Sequence, residues 1–273
     1  MVLRVGCVPE HFSAPLVRAA ESGEFPDEKI ELMMRRLEAG ELDVAICVTE
    51  GLVAGINDNA IRLFGIFVET PLPWAVSVRV DAEYATLDDL AGNAVFGASR
   101  QGSGSDVMAR YMASQFEWGH EPHVRVVGDI RALVKGVQTR TVDAFLWERT
   151  TMQRHYKQDE VRYLGTVRPP WPAFSYAAQT QFIQANGQRL RAFMEWAQTA
   201  AREFMNDVEK NNGFVCERFG YAQSDVAEWA EYVRYSEDGS VDRAKIAKAV
   251  QVLERAGVIQ GVDVDGVVLT PEA

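Results

Sequence analysis

The sequence predicts a two-lobed protein of the α/β class, in which each lobe holds a mostly parallel sheet flanked by helices. Three observations lead to this prediction. Short apolar segments alternate with helical patterns, the apolar segments lack polar alternation, and two proline-rich segments interrupt the series. Strands that are apolar throughout are buried on both faces, which is typical of a parallel sheet covered by helices.

The first lobe begins with alternating strand and helix patterns. Apolar runs and helical periodicity define the segments, and glycine marks where they end. We expect strands at 3–8, 30–34, 43–48 and 61–68, and helices at 16–22, at 35–41 and directly after residue 48.

Two proline-rich segments mark where the chain leaves the first lobe and returns to it. They are Thr70-Pro-Leu-Pro-Trp74 and Arg168-Pro-Pro-Trp-Pro172. Proline fixes its own backbone and restricts the residue before it, so neither neighbouring element continues through such a segment. We therefore predict a discontinuous first lobe of residues 1–72 and 170–273, and a second lobe of residues 73–169.

The second lobe and the C-terminal part show the same apolar runs and helical patterns as the first lobe. Between the crossings we predict strands at 75–79, 94–98, 124–127, 144–147 and 161–167, with helices within 101–115 and 129–136. After the return we predict a strand at 174–182 and a C-terminal helical extension with helices at 188–211, 224–234 and 242–256. Asp265-Gly266 in the tail is a hairpin signal.

Composition excludes several classes of function. The chain carries 28 basic and 39 acidic residues, and its net charge of -11 argues against binding to nucleic acid. No apolar run reaches the length of about 20 residues that spans a membrane. The N-terminal segment does not read as a signal peptide, so we expect a cytoplasmic protein, or a periplasmic one if a signal peptide precedes this sequence. Three scattered cysteines predict neither a disulfide framework nor a zinc site, and we expect no metal and no cofactor.

The best candidate for a ligand-binding loop follows the strand at 94–98. Ligands of open α/β sheets bind beyond the carboxyl ends of the strands. Two glycines there let backbone N–H groups converge at a helix start, and serines add hydroxyl groups, which together predict a cradle for an anion. The alternative is a flexible loop that only caps the helix. The candidate residues are Gln101, Gly102, Ser103, Gly104 and Ser105.

Further candidates occupy other strand ends and one crossing. Each has a purely structural alternative, which is packing for the aromatic residues and helix capping for the polar ones. No Ser/His/Asp or Cys/His arrangement, Walker A loop or dinucleotide fingerprint accompanies them, so we expect no catalytic residue. The candidates are Glu10, His11, Phe12, Thr49, Glu50, Trp74, Trp147 and Glu148.

Five segments in order along the chain resemble a known family. They are Leu3-Arg-Val-Gly-Cys-Val-Pro-Glu-His-Phe-Ser13, Gly40-Glu-Leu-Asp-Val-Ala45, Leu87-Asp-Asp-Leu-Ala-Gly92, Gly102-Ser-Gly-Ser105 and Val142-Asp-Ala-Phe-Leu-Trp-Glu148. The chain resembles the type II periplasmic-binding-protein fold, in the branch of nitrate/taurine/sulfonate-binding and thiamine-pyrimidine-precursor proteins. It looks closest to intracellular members that lack a signal peptide.

The resemblance implies two lobes joined by two crossings, with a small-molecule ligand held in the cleft between them. It implies non-catalytic binding of a polar or anionic ligand such as a sulfonate, a carboxylate or a pyrimidine-like molecule. A transporter is expected as partner only if a leader has been removed. The main alternative is an enzyme of thiamine-pyrimidine precursor biosynthesis, with His11 as the reactive or proton-transferring residue. A ligand sensor that regulates a partner protein is a third reading, for which no partner surface is identifiable.

Overall fold

A computed structural model describes residues 3–21, 40–56 and 60–271. The predicted strand at 30–34 and most of the predicted helix at 35–41 lie outside the described residues. The chain divides into two compact units: unit 1 consists of Met1–Pro71, Trp171–Gln251 and Gly261–Ala273, and unit 2 of Leu72–Pro170 and Val252–Gln260.

Strands and helices alternate through both units. The strands are β1 (Val5–Cys7), β2 (Val44–Val48), β3 (Ile61–Val68), β4 (Trp74–Val78), β5 (Val95–Ala98), β6 (His123–Val126), β7 (Ala144–Glu148), β8 (Arg162–Val167) and β9 (Phe174–Gln179). The helices are α1 (Ala14–Ala19), α2 (Thr49–Ala54), α3 (Gly104–Gln115), α4 (Ile130–Gln138), α5 (Arg149–Lys157), α6 (Thr180–Ala185), α7 (Gly187–Asn206), α8 (Val208–Phe219), α9 (Gln223–Tyr232) and α10 (Arg243–Arg255). Two 3-10 turns, His11–Ser13 and Asp88–Leu90, complete the described elements.

The sheet of unit 1 has the order β1-β2-β9-β3. β1 and β2 are parallel, whereas β9 runs antiparallel to both β2 and β3. β1, β2 and β3 therefore share one direction, and only β9 opposes them. β9 is the strand that the chain enters directly after its second proline-rich crossing. Val44, Ala45 and Ile46 are fully buried, as their apolar run predicts.

The sheet of unit 2 has the order β6-β5-β7-β4-β8 and repeats this arrangement. β5 pairs in parallel with β6 and β7, whereas β4 runs antiparallel to both β7 and β8. The opposing strand is again the one that follows a crossing. Each sheet is thus mostly parallel in strand direction, and the prediction of a mixed α/β fold with helices around two sheets is confirmed.

The long helix predicted at 188–211 is wrong, because it is two helices. Asp207, between α7 and α8, has φ -125° and ψ 59°, which no helix accommodates. The break exposes carbonyl groups at the end of α7. The side-chain amide of Asn211 donates to the Phe204 carbonyl and replaces a lost helical hydrogen bond.

The hairpin predicted from Asp265-Gly266 is also wrong. Gly266 donates its N–H to the Asp263 carboxylate in a local turn, but the chain then runs to the edge of β3. There Leu63 donates to the Val267 carbonyl and accepts from the Leu269 N–H, and Val268 forms a parallel bridge with Leu63. The tail covers an open strand edge, which satisfies backbone groups that a hairpin would have left exposed.

Within the described residues, no helix combines the length and the apolar character needed to cross a membrane.

Candidate functional site

The start of α3 is built by a reciprocal capping arrangement in unit 2. The Ser103 hydroxyl accepts from the Asp106 N–H, and the Asp106 carboxylate accepts from the Gly102 N–H at 2.9 Å. Gly102 has φ +69°, a conformation that side chains disfavour, and Val258 packs against it. The loop is therefore held in one shape by contacts on both sides of the helix start.

The two serine hydroxyls of this loop are partly occupied by each other. Their oxygens lie 3.0 Å apart, and Ser105 also accepts from the Ser99 N–H at 3.1 Å. One hydroxyl hydrogen serves the bond between the serines, so the other remains to be donated. The N–H groups of Gly104 and Ser105 make no hydrogen bond within the described part of the chain. They are the groups that the first turn of an α-helix leaves without an intrahelical acceptor.

Trp74 lies directly against this helix start. A Cβ atom at position 104 would be 2.4 Å from Cη2 of the Trp74 ring, so the ring occupies the space that any side chain at Gly104 would need. Trp74 is only 5% exposed, and its indole Nε1–H has no hydrogen-bond partner in the ranges 3–21, 40–56 and 60–271. The structure thus brings together Trp74 and the Ser103–Ser105 loop, which the sequence predicted as separate candidates.

Asp106 and Arg110, in the first two turns of α3, support this loop and were missed by sequence reasoning. Asp106 is 2% exposed, and its carboxylate also accepts from Arg110 Nε at 2.9 Å. The Ser103-x-x-Asp106 spacing of a capping box was the available signal. The N–H of Gly102, a residue that the sequence predicts as a ligand contact, donates to the Asp106 carboxylate. Gln101 is exposed beside it.

Glu148 and Trp147 serve the framework of unit 2. Glu148 pairs with Trp74 across β4 and β7, and its carboxylate accepts from the N–H groups of Thr150 and Thr151 at 2.8 and 2.7 Å. It is the N-cap of α5. Desolvation by burial raises the pKa of Glu148 in spite of these hydrogen bonds. Trp147 packs against the buried cluster that contains Leu133.

In unit 1, His11 and Phe12 are enclosed by other aromatic side chains. The His11 ring centroid lies 4.4 Å from Phe12, 5.0 Å from Tyr221 and 5.1 Å from Trp229. His11 is 0% exposed, and desolvation lowers its pKa to about 3, so the ring is neutral at pH 7. Glu10, which is half-buried, precedes the 3-10 turn and accepts the Ser13 N–H with its carbonyl oxygen.

Thr49 and Glu50 connect α2 to the second crossing. The Thr49 hydroxyl lies 2.7 Å from the Ser175 hydroxyl, and the Thr49 N–H donates to the Ala173 carbonyl. Glu50 is fully buried and accepts from the Trp171 indole at 3.0 Å. These polar groups are used inside unit 1, where they hold the returning chain in place.

The comparisons with known proteins agree with this architecture. Residues 74–167 match the family model of Ca3427-like PBP, that is, periplasmic binding proteins. The CA3427 gene product of Candida albicans is 24% identical, with a TM-score of 0.89 over 100% of this chain and 97% of that chain. The chain has the periplasmic-binding-protein fold. No curated protein sequence gives a significant match.

Two sulfonate-binding proteins share the periplasmic-binding-protein fold with this chain at lower similarity. The periplasmic aliphatic sulphonate binding protein SsuA of Escherichia coli is 16% identical, with a TM-score of 0.74 over 99% of this chain and 92% of that chain. The alkanesulfonate-binding protein SsuA of Xanthomonas axonopodis pv. citri, bound to MOPS, is 16% identical, with a TM-score of 0.78 over 98% of each chain. At this level of identity the likeness concerns the fold.

The segment matched by the periplasmic-binding-protein family model coincides with the sheet of unit 2. Its first and last residues, Trp74 and Val167, face each other across β4 and β8. It therefore contains both Trp74 and the helix start of α3, the two features that the structure brings together.

Proposed function

We propose that this periplasmic-binding-protein-like chain binds a small anionic molecule and does not transform it, with its principal contacts at the start of α3. One observation carries the proposal: several hydrogen-bond donors without an acceptor among the described residues lie at this point. They are the N–H groups of Gly104 and Ser105, one serine hydroxyl hydrogen, and the Nε1–H of Trp74, whose ring lies on Gly104.

The hydrogen-bond donors at the start of α3 favour a negatively charged ligand. Helix N-termini carry partial positive charge and bind anionic oxygens through their N–H groups. Since the protein has a net charge of -11, such local donors must replace long-range attraction. A sulfonate or a carboxylate presents only acceptor oxygens and a negative charge, whereas a neutral amino- or hydroxypyrimidine presents donors as well and no charge, so the site favours the anions. The sulfonate-binding proteins that share the fold support the same class.

The enzyme alternative receives no support from the placement of His11. A proton-transferring histidine needs access to its substrate and a pKa near the working pH. His11 has no exposed surface, and burial lowers its pKa to about 3.

Other features of the proposal remain predictions. These are the lobe boundaries of residues 1–72 with 170–273 and of residues 73–169, the sharing of one ligand by loops of both lobes, the cytoplasmic location and any transporter partner. The contribution of Glu10, His11, Phe12, Thr49 and Glu50 to that ligand is likewise a prediction.

Thermal unfolding in the presence of small anions tests the proposal. Ethanesulfonate, MOPS, propionate and a neutral pyrimidine would each be added to the purified protein. Ligand binding to the folded state stabilises it by about 2.7 kcal/mol at a ligand concentration of 100 times Kd. We expect at least one anion to raise Tm and the pyrimidine to leave it unchanged.

Variants then locate the effect. Trp74→Phe removes the indole N–H, and Ser103→Ala with Ser105→Ala removes the hydroxyls; both should weaken binding of the active anion. Trp118→Phe is the matched control, because Trp118 also has an unpartnered Nε1 in unit 2 but packs against Phe96. If no anion raises Tm, or if both α3-site variants bind as tightly as the control, the proposed function is wrong.

A further inference from the structure

Unit 1 contains a cavity whose lining includes none of the residues proposed above as ligand contacts. It has a volume of about 440 Å³ and lies among α1, α7 and the start of α8. Pockets for small molecules begin at about 300 Å³. The charged, aromatic and amide side chains that line it are those of Arg18, Trp196, Glu203, Phe204, Asp207 and Asn211.

A buried hydrogen-bond acceptor lies in the wall of this cavity. Asn211 is 2% exposed, and its side-chain amide nitrogen is committed to the Phe204 carbonyl. Because that carbonyl requires a donor, the orientation of the amide group is fixed and Oδ1 is the remaining polar atom. Within the part of the chain that the structure describes, Asn211 Oδ1 has no hydrogen-bond partner. A buried acceptor without a donor is costly, so a ligand that donates here recovers that free energy.

The charged groups of the cavity do not neutralise each other. Arg18 lies over the Phe214 ring, 6.0 Å from its centroid, and forms no ion pair within 4.0 Å among the described residues. Glu203 and Asp207, both exposed, likewise form no ion pair there. One cation and two carboxylates are therefore available to a ligand in the same cavity.

The rest of the wall is aromatic. Phe204 is 5% exposed, and Trp196, which stacks on Phe193 at 6.0 Å, is half-buried. A ligand that fits this lining carries a negative group for Arg18, a positive donor group for the carboxylates and Asn211 Oδ1, and an apolar part for the aromatic rings.

We propose that this cavity is a second binding site and that its ligand is a zwitterion with an apolar side chain, of the α-amino acid class. The ligand carboxylate binds Arg18, and the ammonium group donates to Asn211 Oδ1 and to Glu203. The inference is independent of the anion site at α3, since it rests on side chains of unit 1 alone.

Calorimetric titration of the full chain with L-phenylalanine tests the proposal. N-acetyl-L-phenylalanine lacks the ammonium group, and L-phenylalanine amide lacks the carboxylate. Since hydrogen bonds to charged groups are each worth about a 10- to 100-fold change in affinity, both derivatives should bind at least about 10-fold more weakly. No binding of L-phenylalanine, or equal binding of all three compounds, would overturn the proposal.

Two variants assign the contacts. Arg18→Gln should bind L-phenylalanine about 10-fold more weakly and should bind L-phenylalanine and its amide with equal affinity. Glu203→Gln should reduce the difference in affinity between L-phenylalanine and its N-acetyl derivative. Glu195→Gln, on the exposed side of α7 and outside the cavity, is the control and should bind normally. If Arg18→Gln does not fold, the affinity of Glu203→Gln tests the proposal instead. Glu203 is exposed, so its substitution should not disturb folding.

A last arm separates the two sites. Trp74→Phe, which weakens anion binding at α3, should bind L-phenylalanine like the unmodified protein. If Trp74→Phe abolishes L-phenylalanine binding, or if Arg18→Gln and Glu203→Gln both leave it unchanged, the ligand lies elsewhere and the second site does not exist.

Discussion

The loops at the strand ends of unit 1 and those of unit 2 were predicted from the same signal, yet they use their polar groups differently. In unit 1, Thr49 and Glu50 are fully buried and bonded to Ser175 and Trp171. In unit 2, the amides of Gly104 and Ser105 make no hydrogen bond within the described part of the chain. Polar groups after a strand can thus either hold the fold together or remain available to a ligand. The two roles differ in whether the groups are already hydrogen-bonded within the protein.

The difference follows from what each loop faces. The loop before α2 packs against the segment through which the chain returns, where the Thr49 N–H, the Thr49 hydroxyl and one carboxylate oxygen of Glu50 form hydrogen bonds. The loop before α3 packs against the indole of Trp74, which offers no acceptor. The first case predicts effects on stability, and the second predicts effects on ligand binding.

The largest effect is expected from removing the tryptophan that holds Glu50. Trp171→Ala deletes a fully buried side chain and its hydrogen bond, and should lower the free energy of unfolding by about 3–5 kcal/mol. Urea denaturation measures this change. Trp147→Ala, which removes a half-buried tryptophan of unit 2, should cost less. An equal loss in both variants would contradict the structural role given to the Glu50–Trp171 pair.

The second effect is a dependence of stability on pH that originates in unit 1. Desolvation lowers the pKa of His11 from 6.5 to about 3, so between these values the unfolded chain binds a proton that the folded chain does not. The stability from this group is complete above pH 6.5 and is lost as the pH falls toward 3. His11→Phe should therefore lose less free energy of unfolding than the unmodified protein between pH 7 and pH 4.

The control for this experiment is Phe12→Leu, a change of packing at the neighbouring buried residue. It should lower stability by a similar amount at each pH. If His11→Phe and Phe12→Leu show the same pH dependence as the unmodified protein, His11 is not the buried neutral group described here.

A glycine substitution in unit 2 should give an intermediate effect. Gly104→Ala places a Cβ atom 2.4 Å from the Trp74 ring, and such overpacking costs about 1–3 kcal/mol. It should also displace the ring and weaken binding of the anion at α3. Gly213→Ala is the matched control in α8: its Cβ meets nothing within 4 Å, so alanine should stabilise the helix by about 1 kcal/mol. Stabilisation by Gly104→Ala would show that the ring does not rest on the helix start.

The smallest changes compare one hydroxyl from each unit. Thr49→Val removes the bond to Ser175 and should cost about 1 kcal/mol of stability. Ser103→Ala removes the N-cap of α3, costs about 1 kcal/mol as well, and should weaken anion binding. Measuring unfolding and titration on both variants separates the roles. A loss of binding in Thr49→Val would place that residue in the ligand site.

Local sequence patterns predicted much of the fold. β3 spans the predicted residues 61–68, because its eight residues are apolar except for Arg62 and have turn signals at both ends. The helix over 188–211 failed for a local reason, since Asp207 leaves the helical region where periodicity alone suggests continuation. The hairpin at Asp265-Gly266 failed because the edge of β3 offered the tail better hydrogen bonds than a hairpin would.

The candidate site was predicted in part. Glycine and serine at a helix start identified the loop before α3, and aromatic character identified Trp74. Their contact could not be read from the sequence, because position 74 reaches Gly104 only through the order of strands in the sheet of unit 2. The role of Asp106 was readable from the capping-box spacing.

By itself the sequence determined the α/β class, the two proline-rich crossings and the loops at which polar groups meet helix starts, because these depend on apolar run length, proline and glycine. Only the tertiary structure decided in which of those loops the hydrogen-bond donors remain available to a ligand. Thr49 meets Ser175 across 126 positions and Glu50 meets Trp171 across 121, whereas Gly104 meets an indole ring. Residues so distant along the chain become hydrogen-bond partners through strand order and packing. The local sequence around a loop does not specify which distant residues will lie beside it.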